Sequence, residues 1–210
     1  MKESRPNFIS VDKERLATFI DAIFAIVMTI MILEVKVPEI GEVSGGNLRH
    51  ELHKTIVPFT GFLISFFTVA IIWFDHHDLF KLINAATKGF ALLNFVFVAI
   101  IAILPFSSAL AWQYAGDSTA TFIYAVNILL ISLVIGALFY YVNYFKLINR
   151  EEAGKSRFYA MKRKLNVLFT GLMILALPLT YVSSYVPLIV AGLTPLTHSL
   201  LILFSSRFKS

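Results

Sequence analysis

Apolar residues in this chain come in long blocks separated by short polar stretches. Six blocks reach the roughly 20 residues that a helix needs to cross the hydrocarbon of a bilayer: Leu16 to Val35, Ile56 to Phe74, Gly89 to Trp112, Ala120 to Val142, Leu165 to Ser183 and Leu188 to Ser205. Such blocks are expected to be helices, because backbone groups left unpaired in lipid are too costly for any open structure. The pattern predicts an all-α, polytopic membrane protein: one domain over residues 1–210 with six transmembrane helices. Pro58, Pro105 and Pro178 fall in or near the blocks and are expected to kink or end helices there.

Composition points the same way. The chain is 58% hydrophobic and 15% charged, against about 45–50% and about 25% in soluble domains, and its mean hydropathy is +0.77. The N-terminal stretch from Met1 to Lys13 carries charges of both signs and leads into an apolar block too long for a cleaved signal, so that block reads as a retained first span. With no cysteine there is no disulfide framework, thiolate metal site or cysteine nucleophile.

Net charge is +5, yet the basic residues sit between apolar blocks and mark topology, so nucleic acid is not an expected partner. With six spans, 15 of the 18 Lys and Arg fall on one side; only Lys36, Arg49 and Lys54 fall on the other. By the positive-inside rule this predicts a multi-pass protein of the cell membrane with cytoplasmic N- and C-termini. The outer loop Lys36 to Thr55 contains Gly41, Gly45 and Gly46, while the basic loop Asn143 to Lys164 is placed to border anionic lipid headgroups. Trp73, Trp112, Tyr114, Tyr140, Tyr141, Tyr144, Tyr181 and Tyr185 lie near predicted span ends, where amphipathic rings favour the interface. No internal repeat is visible, so a symmetric pore would need several copies of the chain.

The first span carries the most chemistry. Asp21 lies about a turn and a half inside it, and an intramembrane carboxylate requires a partner or water. Arg15 is six residues earlier, poorly spaced for a same-face pair, whereas the second span ends in Trp73-Phe-Asp75-His76-His77-Asp78 on the same side. A polar cluster of Arg15, Asp21, Trp73 and His76 or His77 is expected, either pinning two helices together or acting as a proton relay or pH sensor. Ala22, Ile26, Ile30 and Leu33 share one helical face with Thr29 beside it. That spacing establishes a common face and says nothing about water.

The string Arg15-x-x-x-Phe19-x-Asp21-Ala22, followed by Phe24-Ala25-Ile26 and the apolar run to Leu33-Glu34-Val35, resembles the first-helix signature of the transmembrane protein 175 family of endolysosomal potassium channels and their prokaryotic relatives. Trp73-x-x-His76-His77 and Asn94 through Leu104-Pro105-Phe106 are similar to that family's second and third helices. From Ala120 onward only the span pattern matches. The chain departs from the family at Ile20, where Phe-Ser-Asp is usual, which removes a hydroxyl near Asp21.

The resemblance implies a homotetramer of six-helix subunits, in the single-repeat prokaryotic form, with the first helix of each lining a central pore for potassium ions. It places the narrowest ring at Ile26, continues the apolar wall through Ile30 and Leu33, and sets the Thr29 hydroxyl beside the constriction. It makes Arg15, Phe19, Asp21, Trp73, His76 and His77 a structural polar network. No Thr-Val-Gly-Tyr-Gly loop occurs, so selectivity by a ring of carbonyls is not expected.

A proton-coupled secondary transporter using Asp21 with His76 and His77 is the alternative, and a non-transporting membrane scaffold a third reading. Repeats and broken helices typical of transporters are not evident in the sequence. His50-Glu-Leu-His53 offers two candidate metal ligands, too few for a site, and Asp75-His76-His77-Asp78 is better explained by the polar cluster. His198 is expected to be a buried hydrogen-bonded group. No nucleophile elbow, phosphate-binding glycine loop or zinc helix occurs, so neither an enzyme nor a cofactor or bound metal is expected.

Overall fold

The computed structural model describes residues 10–37, 48–148 and 156–193. Its helices are α1 Lys13–Ile30, α2 Leu48–Leu82, α3 Lys88–Ala102, α4 Leu104–Gln113, α5 Ser118–Tyr144 and α6 Ser156–Leu179, followed by α7 over 185–193. A 3-10 turn, Met31–Glu34, continues α1, and two short strands, β1 Ser10–Val11 and β2 Ala86–Thr87, pair antiparallel with Ser10 opposite Thr87.

Among the described residues four stretches are long and apolar enough to cross a membrane: Lys13–Glu34, Leu48–Leu82, Lys88–Gln113 and Ser118–Tyr144. They cover the first four predicted spans, apart from Val35 at the end of the first. α2 is longer than its predicted span of 56–74, since the polar turns on both sides stay helical; the connection expected over 36–55 is shortened accordingly. Gly41, Gly45 and Gly46 lie outside the described residues. The predicted fifth span, 165–183, begins inside α6, which starts at Ser156 and so takes up half of the expected basic loop, and which ends at Leu179 just after Pro178. The predicted sixth span opens in α7 and continues outside the described residues, where His198 also lies.

The third predicted span is two helices. Pro105 has no N–H to offer the carbonyl four residues earlier, so the helix stops at Ile103 and restarts as α4. The polar groups at the break are satisfied from α5: Asn127 Nδ2 donates to the Ile100 carbonyl at 3.1 Å, and Ser107 Oγ donates to Asn127 Oδ1 at 3.2 Å.

α5 runs through the middle of the molecule and is buried on most of its circumference, with Tyr124, Ile128, Ile131, Leu138 and Val142 among the least exposed side chains. α3 and α4 pack on one flank and α6 on the other, while α1 packs on α2, α3 and α4. In lipid the tails are as apolar as the side chains, so helices associate through close packing and interhelical hydrogen bonds. Ser65 of α2 is such a node: it is buried, accepts from Ser108 Oγ at 2.7 Å and Trp112 Nε1 at 3.3 Å, and lies 3.4 Å from the Tyr124 hydroxyl. α6 is tied to α5 by the hydroxyls of Ser132 and Thr170, 2.5 Å apart, and by Asn166 donating to the Ser132 carbonyl at 3.2 Å.

The connections gather at the end of the bundle that holds the start of α1. Lys13 Nζ donates to the Ile83 carbonyl at 2.9 Å, Asn84 N to the Leu147 carbonyl at 3.1 Å, and the Thr87 and Tyr141 hydroxyls meet at 2.8 Å. α1 and α3 therefore begin where α2 and α5 finish. At the other end Trp112 lies so close over Gly61 that a Cβ there would stand 1.9 Å from its Cγ. Gly61→Ala is therefore expected to displace Trp112 from Ser65 and cost about 1–3 kcal/mol, the usual penalty of an overfilled core, seen as a lower melting temperature of the purified protein.

Candidate functional site

α1 starts where Asp12 caps it: the carboxylate accepts from Glu14 N at 3.1 Å and Arg15 N at 3.0 Å. From there the helix has two unlike faces. Leu16, Ile20, Phe24, Val27 and Met31 are buried against α2, α3 and α4. The opposite face, Ala22, Ala25, Ile26, Thr29, Ile30 and Leu33, is exposed, with Ile26 at 54% and Leu33 at 76%. The Thr29 hydroxyl donates to the carbonyls of Ala25 and Ile26, both at 2.9 Å, so its oxygen still has acceptor capacity beside Ile26.

Asp21 stands between these faces. Its Oδ1 accepts from Trp73 Nε1 at 2.7 Å, joining α1 to α2. The Trp73 ring lies parallel to that of His77, with centroids 5.1 Å apart and an interplanar angle of 14°. His76 points elsewhere, because adjacent residues on a helix are about 100° apart. It is 3% exposed, stacks on Phe97 at 5.0 Å, and meets Asn94 Oδ1 through Nε2 at 2.7 Å. Asn94 Nδ2 is committed to the Phe90 carbonyl at 2.7 Å. Its Oδ1 can only accept, so the proton of that bond belongs to His76 Nε2.

The polar residues singled out from sequence thus fall into two groups of contacts: Trp73, which bonds Asp21 and stacks on His77, and His76, which bonds Asn94. Arg15 is exposed, and among the described residues its side chain makes no hydrogen bond or ion pair; the structure does not bring it into the cluster. Phe19, 46% exposed, packs edge-on against Phe95 with centroids 5.9 Å apart. His50 and His53 are exposed on the first turns of α2.

Sequence reading missed two participants. Asn94 entered only as part of a resemblance, though an amide within an apolar run signals a buried polar partner. Lys162 was counted only as a basic loop residue, yet its Nζ lies 2.9 Å from Asp75 and 2.5 Å from Asp78. The signal was the acidic pair itself, since two carboxylates three residues apart at the edge of a span require a cation.

Residues 15–105 match the family model described as endosomal/lysosomal potassium channel TMEM175. A relative in Gallus gallus, an endosomal/lysosomal proton channel TMEM175, is 35% identical over 114 residues, covering 51% of this chain and 23% of the relative. A potassium channel of Streptomyces collinus is 28% identical over 111 residues, 53% of each chain. The chain thus spans about half the length of the bacterial relative and less than a quarter of the animal one. The crystal structure of a lysosomal potassium-selective channel TMEM175 homolog from Chamaesiphon minutus superimposes with a TM-score of 0.77 at 25% identity, covering 90% of this chain and 96% of that one. The matched region runs through α1, α2 and α3, and the homolog's fold extends over nearly the whole molecule, so the chain is similar to TMEM175 channels in the sequence of its first three helices and in its fold.

Proposed function

We propose that this chain is the subunit of a potassium-permeable cation channel of the cell membrane, a homotetramer in which α1 of each copy lines the central pore. The observation that carries this reading is the division of α1: one face belongs to the core, while the face holding Ile26, Thr29, Ile30 and Leu33 is exposed among the described residues. The excess of Lys and Arg on one side supports a cytoplasmic orientation of both termini.

The Asp21–Trp73 bond sets the rotation of α1. Ile26 follows Asp21 by five residues, about 140° further round at ~100° per residue, so anchoring Asp21 to α2 turns Ile26 outward. A ring of Ile26 side chains offers no oxygen to replace a hydration shell, and when narrow it empties of water and blocks ions. Conduction requires the ring to widen. Selectivity then comes from the easier dehydration of potassium, helped by the Thr29 oxygens, in place of a carbonyl filter.

The transporter alternative gains no support from the one broken span among the described residues. Transporters use such breaks to coordinate ions with freed backbone groups. Here Asn127 and Ser107 already occupy the break.

Planar-bilayer recording under opposed potassium and sodium gradients is expected to give a reversal potential on the potassium side; no current above that of a bare bilayer would reject conduction. Ile26→Asn should wet the constriction and raise cation flux into vesicles several-fold; unchanged flux in well-assembled protein would reject the gate. Trp73→Phe removes a hydrogen bond to a carboxylate, of the kind worth about 1.5–3 kcal/mol. It should lower the melting temperature and alter flux together, and a change in melting alone would show that the bond does not orient α1.

A further inference from the structure

Lys162 lies in the second turn of α6, beyond the residues that match the family model. Its side chain is only 6% exposed, and its ammonium sits between Asp75 Oδ1 at 2.9 Å and Asp78 Oδ2 at 2.5 Å. An ammonium has three donors and can serve both acceptors. The two carboxylates are three residues apart on one face of α2 and repel each other unless a cation stands between them. Lys81 approaches Asp78 at 3.6 Å, but it is 60% exposed, and pairs of that kind contribute little in water.

The location matters more than the pairing. α6 packs chiefly on α5 and reaches α2 through this lysine. Asp75 lies two residues beyond Trp73, and His77, whose ring stacks on Trp73, lies between Asp75 and Asp78. The last turns of α2 therefore carry the Lys162 pair and the Asp21 bond together.

We propose that Lys162 is a positioning residue for α1: by neutralising Asp75 and Asp78 it holds the end of α2 where Trp73 meets Asp21, so that the α5–α6 half of the subunit sets the rotation of the pore helix. Its consequence for flux rests on the conduction reading above; its consequence for Trp73 does not. Without the ammonium, two partly buried carboxylates must find water or protons. The end of α2 then turns to expose them and carries Trp73 away from Asp21.

The chain has two tryptophans, so in a Trp112→Phe background the emission of Trp73 can be read alone. In purified protein reconstituted into vesicles, Asp21→Asn gives the reference shift for loss of the bond. Lys162→Met is expected to shift Trp73 emission in the same direction and to change potassium flux several-fold. Lys162→Arg, and the triple variant Lys162→Met/Asp75→Asn/Asp78→Asn, should restore both readouts toward wild type, and Lys162→Met should add nothing in an Asp21→Asn background. Unchanged emission in Lys162→Met, or a shift that adds in full to that of Asp21→Asn, overturns the proposal. If Lys162→Met does not assemble, Asp78→Asn is read instead: a smaller shift in the same direction supports the proposal and no shift overturns it. Wild-type protein without flux would reject conduction, while the emission measurements would still decide the role of Lys162.

Discussion

The structure turns on the hydrogen bond from the Trp73 indole to the Asp21 carboxylate. A helix buried on one face by Leu, Ile, Phe and Val alone can slide or roll by small steps at little cost, because lipid solvates apolar side chains as well as protein does. A carboxylate within the span has no such freedom. Its bond at 2.7 Å fixes α1 against α2 at one depth and one rotation. The burial of Phe24 and Val27, and the outward direction of Ile26 and Leu33, follow from that rotation.

The same logic recurs through the bundle at different depths. Ser65 gathers donors from α4 and approaches the hydroxyl of α5, Asn127 closes the break between α3 and α4, and Asn166 and Thr170 fasten α6 to α5. Each joins helices that apolar contact would leave free to shift, and each is satisfied within the subunit. The exposed face of α1 differs in kind, since among the described residues the Thr29 hydroxyl donates only to its own helix and the neighbouring Ile26, Ile30 and Leu33 side chains are left exposed. That contrast between a tied interior and an untied stripe makes an assembly around α1 the reading with the fewest loose ends.

Much of this was legible in the sequence because lipid imposes a length and a composition on every span. The first, third and fourth blocks lie within a few residues of the observed spans, the second falls inside the longer α2, and the Asp21–Trp73 contact follows from the need of a carboxylate for company. The division of the third block at Ile103 was only half legible: Pro105 announced a disturbance, but the capping by Asn127 depends on where α5 packs. The extent of α2 and the early start of α6 were hidden for a related reason. Polar turns at a span edge look like loop until their charges are paired, and the pairing of Asp75 and Asp78 with Lys162 joins residues more than 80 positions apart. Arg15 shows the converse, a residue prominent in the sequence pattern that the single chain leaves in the open.

In the proposed channel the stripe containing Ile26 faces an ion path while its neighbour Val27 faces the core. Because the chain has no cysteine, single cysteines can be introduced without background. Currents through reconstituted Ile26→Cys and Val27→Cys proteins, recorded before and after a membrane-impermeant, water-soluble thiol reagent, test this directly. Block of Ile26→Cys with no effect on Val27→Cys is the predicted result; block of Val27→Cys, or an Ile26→Cys current that the reagent leaves intact, contradicts it.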